Sequence, residues 1–99
     1  GQFVAPTAAA FAAAASGADW SKAPGFYLLL LDQPGAQSWP ITGATFILLR
    51  KDAAPAKRQQ VLDFVTYAYD AGDAQADKLN YVPLPASVKA MVKASWAAK

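Results

Sequence analysis

The chain encodes helix generously and strand sparingly, and that imbalance limits what its 99 residues can build. Gln2 to Ala5, Phe26 to Leu31 and Thr45 to Arg50 supply at most two or three strands, set against three helical stretches. A sheet of two or three strands is small and leaves its edges open. A larger protein around it would remove that problem.

The local signals are as follows. Gln2 to Ala5 reads as the end of a short strand. Pro6 suits the first turn of a helix, where a missing N–H costs little, and Thr7 to Ser16 is almost pure Ala around Phe11. Gly17 is expected to end that helix in the left-handed conformation, with Asp19 to Gly25 a polar turn. Phe26 to Leu31, bounded by Gly25 and by Asp32-Gln33-Pro34-Gly35, suits a buried strand or a short buried helix equally.

Trp39 precedes Pro40 and is pushed away from helical angles, and β-branched and aromatic content predicts a strand over Thr45 to Arg50. Asp52 to Pro55 forms a helix entry. Val61, Leu62, Phe64, Val65, Ala68 and Tyr69 then recur at helical spacing until Gly72. Asp73 to Leu79 adds one turn, Asn80 to Leu84 is extended, and Pro85 opens a last helix whose stripe is Val88, Met91, Val92, Ser95 and Trp96. There is no internal repeat and no clear domain boundary.

Composition narrows the chemistry. With no Cys and no His, the chain has no disulfide, no thiolate or imidazole zinc site, no Ser-His-Asp or Cys-His pair and no histidine base. All seven acids are Asp, and only oxygen-donor metal sites remain conceivable. The reading is therefore not an enzyme, with no cofactor and no metal. The net charge of +2 is scattered, so no nucleic-acid partner is implied. The apolar runs fall well short of the ~20 residues that span a bilayer, and no transmembrane segment is expected. No targeting peptide opens at Gly1, so the expectation is that an upstream segment has been removed.

Several constellations invite a site, and each has a plainer reading. Thr42-Gly43-Ala44-Thr45 resembles an anion cradle, yet no Lys follows at nucleotide-loop spacing, and a structural or hinge role is preferred. Arg50-Lys51 with Lys57-Arg58 makes a basic patch without interleaved aromatics, which reads as solvated surface. Asp63, Asp70, Asp73 and Asp77 lack a glycine-punctuated calcium loop and read as surface charges. Tyr67, Tyr69, Trp39 and Trp96 are taken as buried rather than as a ligand cleft.

Longer motifs carry a resemblance. Ser38-Trp39-Pro40-Ile41-Thr42-Gly43-Ala44-Thr45-Phe46-Ile47-Leu48-Leu49-Arg50-Lys51-Asp52 closely resembles a stretch of the periplasmic phosphate-binding proteins of bacterial phosphate ABC importers. Val61-Leu62-Asp63-Phe64 with Tyr67-Ala68-Tyr69, then Leu79-Asn80-Tyr81-Val82-Pro83-Leu84-Pro85, then Val88 to Trp96, follow in the same order. Upstream, Pro6-Thr7 and Gly17-Ala18-Asp19-Trp20-Ser21 are similar to the same family's helix and turn.

The resemblance implies an α/β chain, the C-terminal part of a two-lobed periplasmic binding protein fold, with few strands and about three helices. Residues 1–38 would end the second lobe, 39–49 would be a hinge-crossing strand, and 50–99 a helical return to the first lobe. Trp39, Pro40, Thr42, Gly43 and Thr45 become hinge candidates. The family's phosphate contacts come from earlier segments whose motifs do not occur here, so no ligand-binding residue is carried over. Inorganic phosphate would bind only with the missing upstream lobes, in the periplasm, for delivery to a membrane permease. The rival expectation is an independent small protein-interaction module without phosphate binding. A phosphatase of related fold ranks last, because no nucleophile-base pair exists.

Overall fold

The computed structural model describes residues 1–97, so the last two residues of the 50–99 stretch lie outside it. Six elements follow one another: α1 (Ala8–Gly17), β1 (Leu30–Leu31), β2 (Ile41–Thr42), α2 (Pro55–Ala71), α3 (Asp73–Lys78) and α4 (Ala86–Ala97). They fall into two compact units, one of residues 1–45 with 82–99 and the other of residues 46–81.

In the first unit, Thr7 caps α1, its hydroxyl accepting the Ala10 N–H at 3.2 Å. Gln2 to Ala5 forms no strand; Phe3 is fully exposed, and the Ala5 carbonyl accepts the Thr7 N–H at 2.8 Å in a local turn. Ala10, Ala14 and Ala15 give α1 a buried face of small side chains, and α1 packs against α4. Gly17 does not end the helix by left-handed geometry. It is the last helical residue, and a Cβ there would stand 2.6 Å from the Pro34 carbonyl, so a close backbone approach requires glycine.

The core gathers around Trp20, which two short 3₁₀ turns, Trp20–Lys22 and Pro24–Phe26, swing inward. Its indole N–H donates to the Ala15 carbonyl at 2.7 Å, so the buried ring leaves no polar atom unpaired. Phe26 stacks on it at 6.5 Å, and Ala15, Ala18, Leu30 and Val88 complete the cluster, with Leu28, Ala44, Leu84 and Val92 against it. Phe26 to Leu31 is neither a buried strand nor a buried helix. Only Leu30–Leu31 pairs, and exposure alternates, with Leu28 and Leu30 turned to the core while Leu29 and Leu31 face out. Asp32, at φ 48°, ends β1.

β1 and β2 form an antiparallel ribbon with Leu30 opposite Thr42 and Leu31 opposite Ile41. The Thr45 to Arg50 strand does not form; residues 43–49 carry no regular element, and Ile47 and Leu48 are exposed. A strand needs a paired strand, and among the described residues the sheet holds only β1 and β2.

The second unit is α2 followed by α3, which pack together. Pro55 opens α2 at a position that needs no N–H. Leu62 and Val65 are buried, whereas Phe64 and Ala68, expected on the same apolar stripe, are exposed. Gly72 follows α2 in right-handed rather than left-handed geometry, its N–H donating to the Ala68 carbonyl at 2.9 Å. α3 carries Asp73 in its first turn and Lys78 in its last, which suits the helix dipole. It ends in a paired cap: Asn80 at φ 61°, its N–H on the Asp77 carbonyl at 3.0 Å and the Tyr81 N–H on the Ala76 carbonyl at 2.9 Å. Asn80 is therefore left-handed, not extended.

Candidate functional site

The expected hinge residues all lie at the end of the first unit's opening segment, and the division of the chain falls directly after Thr45. Local chemistry fixes their beginning. The Trp39 N–H donates to the Ala10 carbonyl at 3.1 Å, and its ring meets Phe11 edge-on at 6.3 Å, an arrangement aromatic quadrupoles favour. Pro40 has no N–H to give, but its carbonyl accepts the Asp32 N–H at 2.9 Å. The Thr42 hydroxyl donates to the Trp39 carbonyl at 3.1 Å. Ser38, buried just before, donates its hydroxyl to the Pro34 carbonyl at 2.8 Å.

The far end of the segment is loose by contrast. Gly43 has nothing within 4 Å of where a side chain would stand, Ala44 rests against the core, and Thr45 is exposed. The Thr42 hydroxyl therefore spends its proton on a backbone carbonyl, which favours a structural role over an anion cradle.

The other constellations dissolve into ordinary surface or packing. Arg50 makes a two-point ion pair with Asp52, at 2.9 and 2.6 Å, which holds the Asp52 carboxyl below its usual range and neutralises one charge of the basic patch. Gln59 donates to Asp63 at 2.8 Å along α2. Among the described residues no group of three or more Asp is placed to hold a metal ion. Trp39 and Trp96 belong to the first unit, Tyr67 and Tyr69 to the second. Tyr67, expected buried, is exposed, while Tyr69 is half-buried and burial pushes its phenol upward. Among the described residues no helix is long and apolar enough to cross a membrane.

Sequence reasoning missed Gln33, whose side-chain amide donates to the Leu29 and Leu31 carbonyls at 3.0 and 3.3 Å along the outside of β1. Its place beside a strand and a turn was visible, but no spacing rule flags a side chain that pairs backward with its own strand.

No protein-family model matches the chain. Curated relatives do. The chain is 45% identical over 100 residues to the phosphate-binding protein PstS of Xylella fastidiosa strain 9a5c, covering all of this chain and 28% of that protein. It is 44% identical over 97% of its length to that of Pasteurella multocida and 43% identical over 97% to that of Haemophilus influenzae, spanning 28% and 29% of those proteins. The resemblance read from the motifs is thus borne out: from end to end the chain is similar to the phosphate-binding proteins PstS, of whose length it spans a little over a quarter.

Proposed function

We propose that the chain is the C-terminal portion of a two-lobed periplasmic protein that binds inorganic phosphate and delivers it to an ABC-type importer. The observation that carries this reading is likeness over 97% to 100% of the chain, at 43% to 45% identity, to proteins named phosphate-binding protein PstS. In such a protein these residues serve as hinge and scaffold. Residues 1–38 end the second lobe, 39–49 cross the hinge, and 50–99 return to the first lobe.

The physical role follows from the parts. Trp39 and Pro40 are anchored by backbone hydrogen bonds, while Gly43 and Thr45 are lightly held, so a change of backbone angle concentrates at the latter. Closure of the lobes about such a segment traps phosphate, strips its water and replaces it with fixed hydrogen bonds supplied by the rest of the protein. The work is recognition, and the homologues support a binding protein rather than an enzyme. A closed shape is then presented to the permease.

Titration calorimetry tests this. A full-length protein containing these residues binds phosphate, whereas the 99-residue chain alone binds weakly or not at all. Micromolar phosphate binding by the isolated chain would overturn the scaffold assignment.

A further inference from the structure

The outward side of the β1–β2 ribbon is apolar. Along residues 27–31 the side chains alternate, Leu28 and Leu30 entering the core while Tyr27, Leu29 and Leu31 stand on the other side. Ile41 is the cross-strand partner of Leu31 and shares that side with it. All four are between 52% and 72% exposed. An antiparallel ribbon with one face in water ordinarily carries polar residues there, whereas this one carries apolar side chains on both faces.

No run of charge interrupts this face. Residues 23–49 hold a single charged side chain, Asp32, whereas the exposed Phe64 and Tyr67 of α2 stand among Asp63 and Asp70, which are exposed too. A face without charge offers no attraction to nucleic acid, to a charged peptide or to an anionic lipid surface. The edge beside it is closed as well: the Gln33 amide occupies the Leu29 and Leu31 carbonyls, where a neighbouring strand would pair with β1. Contact on this side of β1 is therefore made through side chains, face to face.

We propose that Tyr27, Leu29, Leu31 and Ile41 form a self-association face, on which a second copy of the chain packs the same face of its own ribbon about a two-fold axis. An uncharged apolar patch is complementary to itself, which is what an isologous contact requires. Its size sets the strength. Four half-exposed side chains make a patch on the scale of the ~300–600 Å² that is often functional on a single protein. Doubled across the two-fold it stays at or below the ~1,200 Å² of transient complexes, so the dimer is weak and reversible rather than obligate. The contact does not depend on the transport reading.

Sedimentation equilibrium reads this directly, on the 99-residue chain and on a chimera in which it replaces the matching stretch of the Xylella protein. Both are expected to dimerise, with half-association between about 10 µM and 1 mM. Leu29→Lys combined with Leu31→Lys should weaken that at least about tenfold in both samples and leave Trp20 emission in place, since neither side chain belongs to the core. Leu29→Thr combined with Leu31→Thr keeps strand propensity without adding charge and should act in the same direction. Monomers in both samples up to about 1 mM would overturn the proposal, as would a dimer that both paired substitutions leave intact. A dimer formed by the isolated chain alone would overturn it too, because the rest of the polypeptide would then cover the face. Binding of monomers to phosphatidylcholine vesicles, lost in the variants, would assign the face to a lipid surface instead. Phosphate titration into the same chimera is a separate readout, so the transport reading stands or falls independently of the association.

Discussion

Trp20 is 5% exposed with its N–H satisfied, at the centre of a cluster drawn from α1, β1 and α4; Phe64 and Tyr67, on α2, are 71% and 69% exposed. Both regions come from a chain that is 55% hydrophobic, so composition does not separate them. Closure does. The first unit joins segments far apart in sequence, and each covers the others' apolar faces. The second is a continuous stretch of two consecutive helices, too little material to cover every face of a 17-residue helix.

That contrast can be broken by mutation. The largest effect expected is from Trp20→Ala, about 3–5 kcal/mol by urea unfolding, a large share of the ~5–15 kcal/mol usual for a domain. Val88→Ala, at a side chain 1% exposed, should cost about 2 kcal/mol. Gly17→Ala forces a methyl toward the Pro34 carbonyl and should cost roughly 1–3 kcal/mol, unless the turn at Pro34 gives way. Phe64→Ala should stay within about 0.5 kcal/mol, since its side chain is already in water. If it instead matches Val88→Ala in the same assay, the outer face of α2 is packed in solution and the contrast fails.

The smallest effect is one of pH. Burial raises the Tyr69 phenol above its ordinary value of 10.0, so the folded chain holds that proton more tightly than the unfolded one. Its contribution to stability is complete below pH 10.0 and is lost as pH climbs through the raised value. Thermal melts across that range should show a slight alkaline decline that Tyr69→Phe removes.

Elements whose signals are local were legible in the sequence. The alanine helix, the Pro55 entry to α2, the extra turn at Asp73 and the Val88 and Val92 stripe of α4 follow from propensity, proline placement and spacing. What required a partner was not. Thr45 to Arg50 has strand composition and forms no strand, because pairing is a property of two segments. Phe26 to Leu31 looked uniformly buried because six apolar residues in a row conceal the alternation that one-sided packing imposes. Gly17 was read for its torsional freedom, yet its use is to admit the Pro34 carbonyl. The hinge candidates were named from the Thr42 to Thr45 segment and from resemblance, and the structure anchors the first of them, Trp39, by its backbone and ring while Thr45 is exposed.

The placement of aromatic residues has an optical consequence. Trp20, Trp39 and Trp96 all belong to the first unit, whereas Tyr67, Tyr69 and Tyr81 belong to the second, which has no tryptophan. Red-edge excitation therefore lights one unit alone, and the buried, hydrogen-bonded Trp20 should give its emission a blue component that vanishes when the core opens. Tyrosine difference absorbance reports Tyr67, Tyr69 and Tyr81 of the other unit together with Tyr27 of the first. Without any label, a single unfolding experiment at two wavelengths can tell whether the units melt together or apart.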